Sequence, residues 1–262
     1  MTTESRPMKV IDPYPPVPPP GQDDLPYDDG EPMDTPRHRQ QMNLLIDTLA
    51  DAWADRDDVF VGGDMFVYYS MLQTKQNDFR GPDVFVVLGA IPQSQRRRKS
   101  WVVWEENGKL PDLVIELTSP TTERVDHGEK KRIYEQVWHL PEYFCFDPDT
   151  KRLEGWRLEG TAFVRIDPLP NGDLPSRVLA LHLGIRDGCV REDETQWLRW
   201  IDPATGQALP TEAERRSAET ARADAETARA DAEAARANAE AARADALARE
   251  IDALKRRIAG EE

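Results

Sequence analysis

The stretch "PDLVIELTSPTTERVDHGEKKRIYEQ", residues 111–136, constrains the fold more than any other part of the chain. Its first half alternates with a strand's period of two. Asp112, Val114, Glu116 and Thr118 share one face, and Leu113, Ile115 and Leu117 share the other. Its second half changes to a helical period, with Lys130, Ile133, Tyr134 and Val137 at i, i+3, i+4 and i+7 on one stripe. Asp126 and Glu129 have capping-box spacing, with Asp126 as the cap. A further strand, "EYFCFDP", follows. Strand, helix and strand in succession imply a sheet covered by helices. Apolar side chains belong on the inward positions of such a unit, yet two carboxylates and an ammonium occupy them.

The neighbouring segments fit the same architecture. Thr35 and Pro36 are a good N-cap and first-turn pair. Behind them Met42, Leu45, Ile46 and Leu49 fall on one helical face. "VFVGGDMFVYYS" reads as one strand or two, with Gly62 and Gly63 at a bulge or turn. "GPDVFVVLGAIP" is a short apolar run bounded by turn residues, an interior strand. "RLEGWRLEGTAFVRI" and "WLRWIDPATGQAL" read as hairpins. The expected class is α/β or α+β, with a mixed central sheet flanked by helices.

Both ends differ from this globular middle, which runs over 35–210. Residues 1–34 contain "DPYPPVPPPGQDDLPYDDGEPMD", rich in proline and acid and poor in core-forming side chains, so an extended or disordered arm is expected. Its "PPVPPP" is either a linker or a polyproline ligand for a partner. Residues 211–262 repeat with a period of seven: "AETARAD", "AETARAD", "AEAARAN", "AEAARAD". Alanine is the best intrinsic helix former. Thr211 and Glu214 form a capping box at the start and Gly260 stands past the end, giving a helix roughly 70 Å long. Ala221, Ala225, Ala228, Ala232, Ala235 and Ala239 form a coiled-coil-like seam, and Leu247, Ile251, Leu254 and Ile258 a bulkier one in another register. The tail is either a solvated single helix or a means of homo-oligomerisation.

The formal net charge of −15 offers no global field for nucleic acid or an anionic membrane. Between residues 37 and 210, 28 acids face 22 bases. No stretch approaches the roughly 20 apolar residues of a spanning helix, and the N-terminus lacks the pattern of a secretory signal. Cys145 and Cys189 match no zinc spacing, which fits a reducing compartment. The expectation is a cytoplasmic protein without membrane contact.

Asp83, on the strand of "GPDVFVV", shares a face with Phe85 and Val87. A carboxylate buried there is costly unless paired, protonated or metal-bound. Two strands each delivering a carboxylate to one sheet edge suit a hard cation such as Mg²⁺. On that reading Lys130, rather than Lys131, faces the sheet and could orient an attacking water. The plainer alternative stays open: Asp83 and Asp112 cap strand entries after proline, and Glu116 with Lys130 is a salt bridge holding helix to sheet.

Asp83 after Pro82 on one strand, with Glu116 on the next, resembles the PD-(D/E)XK nuclease superfamily. More specifically, residues 111–148 are similar to the Uma-type restriction endonuclease family. The matching positions are Pro111, Asp112 and Glu116, then Ser119, Pro120 and Thr122, then Asp126, Lys130 and Tyr134, then Glu142, Tyr143, Asp147 and Pro148. The resemblance covers about residues 35–205. It implies a restriction-endonuclease-like core and Mg²⁺-dependent (or Mn²⁺-dependent) hydrolysis of DNA phosphodiester bonds. It also implies roles: Asp83 and Glu116 hold the metal, Lys130 positions the water, Asp112 supports the site or adds a ligand, and Tyr134 packs. Thr118 stands where the superfamily has its lysine, so Lys130 would supply that group from the helix.

Elsewhere, "RRRK" (Arg96, Arg97, Arg98 and Lys99), with Trp101 and Trp104 behind it, is either a solvated loop or a grip on DNA. His38 could reach a phosphate, but is expected as a surface histidine. Two other functions remain compatible with the sequence: a catalytically decayed nuclease fold serving as a scaffold or DNA-associated interaction protein, and a metal-dependent hydrolase of a small phosphorylated substrate.

Overall fold

Leu113, Ile115 and Leu117 enter one hydrophobic cluster and Val114 enters another, on opposite sides of a central sheet. The computed structural model describes residues 18–26, 35–76 and 81–260. The parts of the arm expected over 1–34 that lie at 1–17 and 27–34 fall outside the described residues. Two compact units divide the chain, the first ending at Leu209 and the second starting at Pro210.

In the first unit, helix α1 (Pro36–Ala52) is followed by strands β1 (Val59–Gly62) and β2 (Val67–Tyr68), helix α2 (Met71–Gln76), and strands β3 (Val84–Leu88) and β4 (Trp101–Val102). Strand β5 (Leu113–Leu117) leads into one continuous helical segment. It comprises α3 (Glu123–Val125), a π-helical turn (Asp126–Lys130) and α4 (Lys131–Gln136). Strands β6 (Glu142–Phe146), β7 (Leu153–Glu159), β8 (Ala162–Arg165), β9 (Leu174–Ser176), β10 (Leu181–Val190) and β11 (Asp193–Ile201) complete it. This is a mixed α/β architecture. The hairpin expected over 152–166 forms as β7 with β8, whereas over 197–209 the chain makes only an isolated Ile201–Ala208 bridge and β11 pairs instead with the preceding β10.

The central sheet has six strands in the order β1-β3-β5-β6-β7-β8, and only the β5–β6 pair is parallel. On one side α1 packs Met42, Leu45 and Leu49 against Val84, Val86, Leu113, Ile115 and Phe144, joined by Leu198 and Trp200 of β11. Gln41 ties α1 to β11 by donating to Leu198 O and accepting from Leu198 N, both at 2.9 Å. On the other side Ile133, Tyr134 and Trp138 cover Phe85, Val87, Val114, Tyr143 and Cys145. Fully burying side chains of this size stabilises by about 1.5–3 kcal/mol each.

Residues 18–26, within the expected arm, pack on the first unit. Leu25 is buried with Phe66, Tyr68 and Val102. Tyr68 Oη donates to Pro26 O at 2.6 Å, and the Trp104 indole donates to Pro20 O at 3.0 Å.

The second unit is helix α5 (Glu212–Ala259). Thr211 and Glu214 form both bonds of the capping box, and Gly260 ends the helix in the left-handed conformation at φ 74°.

Candidate active site

Antiparallel pairing of β3 with β5 sets Val84 opposite Ile115, which brings Asp83 opposite Glu116 at the next step. The two residues are knitted through the backbone. Leu117 N donates to Asp83 Oδ2 at 2.7 Å, and Asp83 N points to Glu116 Oε2 at a long 3.4 Å. Gly63 permits this approach: a Cβ there would lie 1.9 Å from Asp83 O.

After β5 the chain turns through Ser119 and Thr122. Ser119 N donates to Thr122 Oγ1 at 3.0 Å, and Thr122 N to Ser119 Oγ at 3.3 Å. This side-chain-to-backbone turn starts the helix at Glu123, one turn earlier than the sequence suggests. Asp126 therefore does not cap it. It has helical dihedrals (φ −65°, ψ −45°) and is buried in the π turn. Such turns interrupt the 3.6-residue period and occur often at functional sites.

Lys130, at the end of that turn, places Nζ 3.0 Å from Glu116 Oε2 and 3.1 Å from Asp126 Oδ1. The second contact lacks hydrogen-bond geometry, so Asp126 Oδ1 is buried without accepting a bond. Tyr134 donates from Oη to Glu116 Oε1 at 2.6 Å, so it holds the glutamate as well as packing on Trp138 and Tyr143. Val137, expected on the same inward stripe, is exposed because the helix ends at Gln136 and the chain turns there.

The Glu116 side chain has no solvent exposure, whereas Asp83 (23 %) and Lys130 (21 %) reach the surface. Burial, reinforced by the Asp83 and Asp126 charges and opposed by Lys130, pushes the Glu116 carboxyl up to about 8. Burial alone would depress the Lys130 ammonium, but Glu116, Asp126 and Asp83 hold it above its ordinary range. Burial would also raise Asp83; the His38 hydrogen bond and charge, with Lys130 and the Leu117 amide, keep it below the ordinary carboxylate value.

His38 is a correction to the sequence reading. It is buried, with Nε2 3.3 Å from Asp83 Oδ1. The signal was available, since His38 precedes Met42, Leu45 and Leu49 on the buried face of α1. Asp126 is the other residue missed, because its spacing to Glu129 reads as a cap.

Asp112 does not join this cluster. It lies four residues down β5 from Glu116, about 13 Å along the strand, where its Oδ2 accepts from Leu88 N at 2.7 Å. The basic run is largely neutralised. Arg98 is buried in a bidentate pair with Glu106, both bonds at 2.8 Å, with its guanidinium over the Phe60 and Trp101 rings. Arg96 pairs with Glu105 and Glu106, and Lys99 with Asp23. Arg97 is exposed. Trp101 is fully buried, so it cannot stack on a base. Glu142 and Asp147 of the resembling motif are structural. Glu142 is buried and accepts from Arg157 at 2.9 Å and Ser176 at 2.5 Å, while Asp147 accepts from two turn amides.

No group of three or more His, Cys, Asp or Glu side chains arranged to hold a metal occurs among the described residues. Mg²⁺ does not require one, because it binds through one or two carboxylates together with water and substrate phosphate. Asp83 and Glu116 are hard oxygen donors at adjacent strand ends. Three carboxylates surround one ammonium, one of their buried oxygens accepts no hydrogen bond, and one carboxyl is driven toward protonation. That is a site short of positive charge, and its donor chemistry fits a divalent cation.

The Uma2 family model, described as "Putative restriction endonuclease", matches residues 17–189. This is more than half of the chain, and the chain belongs to that family. Among solved structures, it is similar to the crystal structure of a putative nuclease belonging to DUF820 from Anabaena variabilis. Identity is 17 %, 60 % of this chain and 85 % of that chain are covered, and the TM-score is 0.39. No curated protein matches.

Proposed function

We propose that the protein is a Mg²⁺-dependent endonuclease that hydrolyses DNA phosphodiester bonds, with Mn²⁺ able to replace Mg²⁺. The observation that carries this reading is the meeting of Asp83, Glu116 and Lys130 at the open end of β3 and β5, with the ammonium 3.0 Å from Glu116 Oε2.

Asp83 and Glu116 would hold the cation. When bound, it would polarise the phosphate and lower the pKa of a coordinated water. Lys130 orients the attacking water through its N–H donors, stays charged in the field of three carboxylates and offsets phosphate charge. Asp126 brackets Lys130 and limits its motion. Tyr134 fixes Glu116, and His38 fixes Asp83. The partial exposure of Asp83 and Lys130 supplies access for a backbone phosphate.

DNA is the substrate that family membership favours. Of the basic run, Arg97 is the member still suited to a backbone contact. The net negative charge of the globular unit makes a cation more necessary for binding polyanion. Two free cysteines, Cys145 and Cys189, agree with a cytoplasmic setting, and no described helix is long and apolar enough to cross a membrane. The C-terminal helix would join copies of the chain.

The test is cleavage of supercoiled plasmid by the full chain with Mg²⁺, Mn²⁺ or EDTA. Nicking with either metal and none with EDTA is expected. Absence of cleavage with both metals, by protein shown to be folded, would overturn the reading.

A further inference from the structure

Helix α5 carries only four apolar side chains larger than alanine: Leu247, Ile251, Leu254 and Ile258. Their spacings are four, three and four, so all of them fall on one seam. Every one is exposed, from 44 % for Ile251 to 86 % for Ile258. The rest of the helix is alanine, charge and small polar residues. A helix carried by propensity and charge pairs alone has no use for large apolar groups in solvent, still less for all of them on one line.

That seam defines a heptad frame in which Ile251 and Ile258 take a positions and Leu247 and Leu254 take d positions. β-Branched residues at a with leucine at d favour two parallel strands. The flanks agree. Glu250 falls at g and Lys255 at e, and in a parallel, in-register pair each g residue faces the e residue five positions on in the other strand. Glu250 then meets Lys255 of the second copy, and two-fold symmetry makes the attraction twice over. The alanine seam from Ala221 to Ala239 runs in another register and takes no part.

We propose that the segment from Leu247 to Ile258 binds a second copy of this chain as a parallel, in-register, two-stranded coil. This rests on the self-association proposed above and gives it an address and a direction. The closeness of identical positions across such a coil is its distinguishing property, because antiparallel packing separates them.

The test uses the full chain with Cys189→Ser, which removes the exposed thiol and leaves the buried Cys145. Sedimentation of this background is expected at twice the 29.8 kDa chain mass. Adding Leu254→Cys should give a disulfide-linked dimer on oxidation in nearly full yield. Ile251→Glu with Leu254→Glu should halve the mass while the melting of the first unit is unchanged. Glu250→Lys should weaken the dimer, and Glu250→Lys with Lys255→Glu should restore it. A monomer at the highest soluble concentration overturns both the coil and the self-association. A dimer that resists the seam substitutions, or fails to cross-link through position 254, overturns the parallel coil while leaving another mode of self-association. A trimer or tetramer overturns the two-stranded form.

Discussion

Lys130 Nζ stands 3.0 Å from Glu116 Oε2, while Tyr134 takes the other oxygen of that carboxylate at 2.6 Å. Glu116 nevertheless sits in a negative field, because Asp83 and Asp126 flank it in a buried setting. The folded protein keeps a proton on Glu116 up to about 8, whereas the unfolded chain releases it near 4.5. The stability this group contributes is therefore complete below about 4.5 and is lost as pH rises through about 8. The metal-free protein should melt progressively lower across that window. Mg²⁺ competes with the proton for the same oxygens, so its stabilising effect should grow with pH. Melting curves with Mg²⁺ and with EDTA across this range check both statements. A Mg²⁺ effect that does not depend on pH contradicts them.

His38 acts on Asp83 and has no expected contact with DNA. His38→Ala should weaken Mn²⁺ binding, read by paramagnetic resonance, by about 10-fold or more, as loss of a supporting hydrogen bond to a ligand does. His38→Gln keeps a donor and should recover most of the affinity. Equal loss in both variants would show that the imidazole matters only for packing.

Gly63→Ala places a methyl 1.9 Å from the Asp83 carbonyl oxygen and 2.9 Å from its carbon, so backbone must move. A cost of about 1–3 kcal/mol is expected, with metal affinity reduced because Asp83 shifts from the Leu117 amide. Gly128→Ala is the control, since nothing lies within 4 Å of its added Cβ. Being helical, Gly128→Ala should be neutral or stabilising by about 0.5–1 kcal/mol. Equal melting temperatures for the two variants would remove Gly63 from the account.

Helix α5 begins at its own capping box and buries no apolar face within itself. Deleting residues 211–262 should leave the melting temperature of the first unit nearly unchanged and lower the apparent mass in light scattering. A large loss of stability would show that the two units depend on each other.

How far the sequence revealed this arrangement depends on the range of each interaction. The alternation in β5 and the phase that selects Lys130 over Lys131 are local, and both could be read directly. The β7–β8 hairpin and the α5 cap were legible for the same reason, while the pairing of β11 back onto β10 was not read. The π turn was not legible, because it breaks the 3.6-residue period on which the reading relied, and Asp126 was consequently taken for a cap. Val137 was taken for a buried residue because nothing local marks the end of the helix at Gln136. His38 depends on a contact with a residue 45 positions away, though its place on the α1 stripe was a usable sign. The basic run looked free because Glu105 and Glu106 reach it only after the chain folds back through β4.

The central claim is that Lys130 serves chemistry as well as holding helix to sheet. Lys130→Ala leaves Glu116 without its cation, which for an ionised buried partner costs roughly 3–5 kcal/mol. Proton uptake by Glu116, already favoured, limits that loss, so the variant should remain folded near neutral pH. Lys131 is the matched control: its Nζ lies 3.9 Å over the Trp156 ring, outside the carboxylate cluster. The decisive measurement is the plasmid nicking rate with Mg²⁺ for Lys130→Ala and Lys131→Ala, each with its melting curve. The account predicts at least about a 100-fold loss for folded Lys130→Ala, the scale of a lost charged hydrogen-bond donor at the reacting groups, and little change for Lys131→Ala. A folded Lys130→Ala that nicks at the wild-type rate would contradict it.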